Sequence, residues 1–232
     1  PVAKGPPPMA ESRALPADML DRLIVALDVP TIDQARAMVD RLGDSVRFYK
    51  IGLWLLFAQG ADGLIQSILD RGAKVFLDAK MYDIGKTVEE GVARAADRGV
   101  TFVTVHGDDR IVESAMAGKR GRDVKILAVT VLTSLDDAAL KDMGYALTAE
   151  QLIRHRVAQA SRLGCDGIVA SASDDPDRIR VEAGNPGLLI VTPGIRGPGD
   201  AADDHRRSAD AASAISRGAF AHLRHDRPRP LR

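Results

Sequence analysis

Val75-Phe76-Leu77-Asp78-Ala79-Lys80-Met81-Tyr82-Asp83-Ile84-Gly85-Lys86-Thr87-Val88 runs an apolar stretch straight into Asp78, Lys80 and Asp83, and a helical pattern follows. Side chains alternate along a strand, so Asp78 and Lys80 are expected on one face. If that face points into a barrel, each charge needs a partner, because an isolated charge in a low-dielectric interior is costly. Asp83 falls beyond the strand, in the loop where α/β enzymes hold their chemistry. On spacing alone, the same charges read equally well as a structural ion pair at a strand end.

Working outward, short apolar runs alternate with segments of helical period. Strands are expected at Leu23–Asp28, Phe48–Ile51, Lys74–Lys80, Phe102–His106, Lys125–Val131, Gly167–Ala170 and Leu188–Thr192. Helices are expected at Ile32–Leu42, Ala61–Arg71, Val88–Asp97, Ile111–Gly118, Ala149–Leu163 and Asp177–Ala183, with Thr31, Thr148 and Asp174 as caps. Repeated strand–helix units imply a parallel sheet. Seven units, with an eighth strand near Phe220, favour a closed (β/α)8 TIM barrel over an open doubly wound sheet. Asp28, Lys50, Asp78, Lys80, Thr133 and the Pro193–Arg196 segment all fall at or just past the C-terminal ends of strands, the face on which barrel enzymes carry their sites.

Composition narrows the classes. The 232 residues suit one large domain, read as a disordered leader at 1–17 followed by a single barrel over 18–232. Lys plus Arg equals Asp plus Glu at 32 each, so nothing in the balance points to nucleic acid or an anionic membrane surface. The longest apolar run, Leu53 to Ala58, is far too short to span a bilayer. Cys165 is the single cysteine; it cannot form an internal disulfide and reads as a packed small residue in a reducing, cytoplasmic protein.

Asp78-x-Lys80-x-x-Asp83-Ile84 resembles the signature of the orotidine 5'-monophosphate decarboxylase family. Ile24-Val25-Ala26-Leu27-Asp28-Val29, Tyr49-Lys50-Ile51-Gly52, Val105-His106-Gly107, Val131-Leu132-Thr133-Ser134 and Thr192-Pro193-Gly194-Ile195-Arg196 follow in the family's order, over about residues 22 to 218. The Asp-Lys-Asp element alone indicates a superfamily; the ordered set is far more specific. The resemblance implies decarboxylation of orotidine 5'-monophosphate to UMP, the last step of pyrimidine nucleotide synthesis, without metal or organic cofactor. It implies Lys80 as proton donor to C6, Asp78 near the substrate carboxylate, and Lys50 paired with Asp78 and a ribose hydroxyl. Lys50, Asp78, Lys80 and Asp83 are then expected to form an alternating charge network. Asp28 would bind the ribose, Thr133 the pyrimidine ring, and Pro193 to Arg196 the phosphate. Asp83, Ile84 and Thr87 would reach into the site of a second copy, making a homodimer with two composite sites. His106 is expected to be structural, and Trp54 to lie in the core or at an interface.

Three departures from the family pattern stand out. Gly85-Lys86 replaces the usual Pro-Asn, which adds flexibility and a charge to the loop. His205 stands where the family has a phosphate-contacting glutamine; an imidazole still donates a hydrogen bond. The family's eighth strand is apolar and ends in Gly-Arg, but here the chain reads Gly218-Ala219-Phe220-Ala221-His222-Leu223-Arg224-His225-Asp226-Arg227. The eighth strand is therefore atypical and open to being incomplete, with Arg227 as the substitute phosphate ligand. We read this tail as displaced by one nucleotide: a permitted codon choice for Phe220 to Pro228, shifted by one nucleotide, encodes Ser-His-Ile-Phe-Val-Met-Thr-Gly-Arg. Two rival readings follow: a magnesium-dependent sugar-phosphate decarboxylase of the same superfamily, and a nucleotide-binding homodimer without turnover.

Overall fold

The computed structural model describes residues 19–171, 175–195 and 219–224. The expected leader, the Asp174 cap, and Arg196, His205 and Arg227 lie outside the described residues. Eight parallel strands close in sequence order: β1 (Leu23–Ala26), β2 (Phe48–Gly52), β3 (Lys74–Met81), β4 (Phe102–His106), β5 (Lys125–Val129), β6 (Gly167–Val169), β7 (Leu189–Ile195) and β8 (Phe220–Arg224). Helices pack around them: α1 (Ile32–Leu42), α2 (Leu53–Leu56), α3 (Ala61–Asp70), α4 (Gly85–Asp97), α5 (Asp109–Gly118), α6 (Asp137–Asp142), α7 (Ala149–Arg162) and α8 (Pro176–Glu182). No helix among the described residues is long and apolar enough to cross a membrane.

Alternation divides the strand side chains between two cores. Val25, Tyr49, Ile51, Val75, Leu77, Val103, Ile126, Ile168 and Ile190 face outward against Met38, Leu64, Ile68, Val92, Val112 and Val157 of the helices. Ile24, Phe48, Phe76, Phe102, Leu127, Leu189, Val191 and Phe220 fill the barrel. Phe102 is the hub of that interior, with ring centroids 4.9 Å from Phe48, 5.9 Å from Phe76 and 5.4 Å from Phe220. This aromatic plug excludes water from the barrel and forms the floor on which the polar layer above it rests.

The eighth strand is present, and at five residues it is as long as β2, β4 and β5. Leu23 to Ala26 pair with Ala221 to Arg224 on one side, and Val191 and Thr192 pair with Phe220 and Ala221 on the other. Its link to β7 shifts register between Thr192 and Ile195. Main-chain hydrogen bonding, which does not depend on an apolar sequence, joins it to both neighbours.

Local signals set the helix starts. Thr31 accepts from the Gln34 N–H at 3.2 Å, and Thr148 and Gln151 form a reciprocal capping box at the head of α7. Asp175 caps α8, with Pro176 in its first turn. The Gly85-Lys86 departure is accommodated rather than loose. A Cβ on Gly85 would sit 2.5 Å from Ser114 Oγ, so glycine lets α4 approach α5, and Lys86 pairs with Glu89 and Glu90 of its own helix at 3.1 and 3.0 Å. Trp54 is half-exposed on α2 and is not a core residue, because the apolar run Leu53–Phe57 coils into one helical turn that buries Leu55 instead.

Candidate active site

At the C-terminal mouth, three strands deliver one chain of alternating charge. Lys50 Nζ, on the inward face of β2, lies 3.0 Å from Asp28 Oδ1 and 3.6 Å from Asp78 Oδ2. Lys80 Nζ lies 2.7 Å from the same Asp78 oxygen. The order Asp28–Lys50–Asp78–Lys80 gives every charge an opposite neighbour, which is the condition for holding four of them above an aromatic floor. Exposure is graded along the chain: the Lys50 side chain is 6% exposed and that of Lys80 39%. Lys50 is thus a buried structural cation, while the Lys80 ammonium faces the open mouth.

Asp78 and Lys80 do not meet by simple alternation. Pairing between β3 and β4 shifts from Leu77↔Val103 to Met81↔Val105, so Asp78, Ala79 and Lys80 lie opposite Thr104 alone. Lys80 sits at φ 45°, a left-handed conformation that costs a non-glycine residue on the order of 1 kcal/mol or more. Its N–H donates to Thr104 Oγ1 at 2.9 Å, and the same hydroxyl donates to Asp78 Oδ1 at 2.9 Å. Thr104 is a fully buried polar residue that reasoning from sequence passed over. The available signal was its place in Phe102-Val103-Thr104-Val105-His106, where alternation puts Phe102, Thr104 and His106 on the inward face.

Asp83, Ile84 and Thr87 stand apart from this network within one chain. All three are exposed, and Asp83 Oδ1 accepts the Ile84 N–H at 2.6 Å at the entrance to α4. Within one chain, Asp28 is the fourth charge of the chain of ion pairs. Thr133 lies half-buried in the turn after β5, and Pro193 lies half-buried near the end of β7, both on the same mouth. Cys165 is buried, its Sγ 3.3 Å from the carbonyls of Ile126 and Gly167, and burial pushes its thiol up to about 11.

A second polar cluster braces the mouth. Arg156, buried on α7, donates to the Thr130 carbonyl at 2.5 Å and to Tyr145 Oη at 3.3 Å, and lies 3.5 Å from Asp108. Nothing in the charged sequence of α7 distinguishes this buried arginine from its solvated neighbours. Tyr82 packs at 4.9 Å on His106. Burial, and next the Arg156 cation, hold His106 below its ordinary 6.5, with Asp108 opposing, so the ring is neutral at neutral pH. Tyr82, Asp83, Ile84, Ile111, Tyr145 and Leu152 help line an open groove of about 930 Å³ beside the mouth. Among the described residues, no group of three or more His, Cys, Asp or Glu side chains is disposed to hold a metal ion.

Residues 21–221 match the model of the orotidine 5'-phosphate decarboxylase / HUMPS family. The chain belongs to this family. Among relatives of the orotidine 5'-phosphate decarboxylase / HUMPS family, the orotidine 5'-phosphate decarboxylase of Rhodopseudomonas palustris (strain HaA2) is 48% identical over 217 residues, covering 94% of this chain and 90% of the relative. That of Caulobacter vibrioides (strain NA1000 / CB15N) is 48% identical over 209 residues, 89% of each chain. The crystal structure of orotidine 5'-phosphate decarboxylase from Lactobacillus acidophilus superposes with a TM-score of 0.75 at 31% identity, over 87% of this chain and 88% of that one. The family match ends at residue 221, just inside β8.

Proposed function

We propose that this chain decarboxylates orotidine 5'-monophosphate to UMP in pyrimidine nucleotide synthesis, as a carbon–carbon lyase working in the cytoplasm. The observation that carries the reading is the Asp28–Lys50–Asp78–Lys80 chain at the barrel mouth, in a sequence nearly half identical to enzymes of that name. The C6–carboxylate bond breaks, carbon dioxide leaves, and the electron pair stays on C6 in the ring plane, where the ring stabilises it poorly. Lys80 supports that developing charge with its ammonium and then transfers a proton to C6, leaving a neutral amine that regains its proton from solvent. Asp78 keeps the ammonium aimed, and Lys50 neutralises Asp78 from behind. Because these dipoles and charges are already held by the fold, little reorganisation is needed when charge develops. The chemistry uses side chains of the protein alone.

Asp28 binds the ribose, Thr133 the ring, and Pro193 to Arg196 the phosphate; His205 and Arg227 add to the phosphate grip. Phosphate binding, remote from the bond that breaks, supplies energy to orient the ring. Asp83, Ile84 and Thr87 complete the site of a second copy in a homodimer. Their exposure in the single chain, with Ile84 at 73%, is what such a role requires.

The test is loss of orotidine monophosphate absorbance on adding purified protein, with a chelator and Lys80→Ala as controls. Turnover that survives the chelator and vanishes in Lys80→Ala is the expected result. Chelator-sensitive turnover would shift the reading to a metal-dependent relative, and UMP binding without turnover would reduce it to a nucleotide binder.

A further inference from the structure

We infer that Thr104 is a positioning residue for the decarboxylation: its buried hydroxyl locks the β3 bulge that brings Asp78 and Lys80 into one site. This inference rests on the function proposed above.

A regular parallel ladder between β3 and β4 would pair residue with residue. Here three residues of β3 face Thr104 alone, so the Lys80 N–H has lost its place in the ladder. A buried N–H must find an acceptor, and the Thr104 hydroxyl at 2.9 Å is that acceptor. The hydroxyl has one proton to give, and gives it to Asp78 Oδ1 at 2.9 Å. The hydroxyl's single proton and one of its lone pairs are thereby engaged by the two residues whose relative position decides the chemistry. The Asp78 carboxylate is divided accordingly. Oδ2 receives Lys50 and Lys80, and Oδ1 is fixed by Thr104.

The left-handed turn at Lys80 needs such a lock. A lysine at φ 45° persists only where its surroundings over-determine it. Without the hydroxyl, β3 is free to relax toward a regular strand, and a slip of one residue turns side chains to the opposite face. The Lys80 ammonium would then leave the position in which it can protonate substrate, although the barrel would remain closed by the other strands.

The experiment compares Thr104→Val, which keeps the shape and removes the hydroxyl, with Thr104→Ser, which keeps the hydroxyl. Thr104→Val is expected to lower kcat by about tenfold to a hundredfold with KM changed by less than about threefold, the signature of misplaced chemistry rather than weakened binding. Removing a donor from a carboxylate disfavours its ionised form, so the acid limb of the kcat–pH profile is expected to move to higher pH. Lys50, Lys80 and Asp28, the charged groups described around Asp78, are untouched by either substitution. Thr104→Ser is expected to restore both kcat and the pH profile. A merely structural threonine would move the melting temperature and leave the pH profile in place. The inference is overturned if Thr104→Val keeps the native kcat and profile, or if Thr104→Ser falls as far as Thr104→Val. An inactive native protein would instead overturn the decarboxylase reading itself, and this inference with it.

Discussion

Lys50 and Lys80 direct the same charge at the same carboxylate oxygen, yet their loss has different consequences. Lys50 is enclosed between Asp28 and Asp78, so Lys50→Met leaves two carboxylates facing each other with no cation between them. Breaking a buried pair in this way is expected to cost about 3 kcal/mol or more of folding stability, measured by urea denaturation. Lys80 is far more exposed, and Lys80→Met is expected to cost less than about 1 kcal/mol while abolishing turnover. Cys165 gives a second prediction at this scale. Its thiol is raised from 9.0 to about 11 by burial, so the folded protein favours the neutral form. The resulting stability is fully present below pH 9 and is lost as the pH rises through about 11, because the unfolded chain ionises first. The native protein is expected to lose about 2–3 kcal/mol more across that range than Cys165→Ala does, read as the difference between their denaturation curves. His106 acts in the opposite sense. Its lowered value makes stability present above pH 6.5 and lost as the pH falls below it.

Among the elements, α4 and α5 determine where the Asp83–Thr87 segment is held. A Cβ on Gly118 would lie 2.4 Å from the Glu89 carbonyl oxygen and 2.9 Å from Val92 Cβ, neither of which can swing aside. Gly118→Ala is expected to force the two helices apart, with a loss of about 1–3 kcal/mol in thermal unfolding and a lowered kcat. Elements of this kind were largely legible from sequence. The Ile32–Leu42 helix and the Phe102–His106 strand run as their periodicities predict, because each buries one regular face. α6 escaped notice because six residues are too few to establish a period, and α4 begins three residues early because glycine lets its first turn pack on α5. The acidic and basic residues of the site were readable as charges at strand ends. The β3 bulge was not, because a register shift belongs to the pairing of two strands and neither sequence carries it alone. The tail gives a further prediction for β8: sequencing the coding DNA is expected to find Ser-His-Ile-Phe-Val-Met-Thr-Gly-Arg in the next frame across Phe220 to Pro228. A shifted frame lacking that apolar run would refute the displacement.

For the whole molecule, the proposed composite site makes a prediction about mixtures. Lys80→Ala and Asp83→Ala are each expected to be inactive alone. In a mixed dimer, one site receives its Lys80 from the second variant and its Asp83 from the first, and is intact. Random exchange is expected to restore about a quarter of native activity, measured by the same absorbance assay; no recovery after demonstrated exchange would mean that each site is built from one chain. The closure of the barrel has a longer consequence. β8 contributes the Phe220 ring to the interior and main-chain bonds to β1 and β7. Main chain is common to every residue except proline in its donors, so the seam of the cylinder is largely indifferent to its own spelling. A lineage can rewrite its last strand without unrolling the barrel. The proposed phosphate grip can then drift, or be lost and regained, while the chain of charges carried at the ends of β1, β2 and β3 keeps its place.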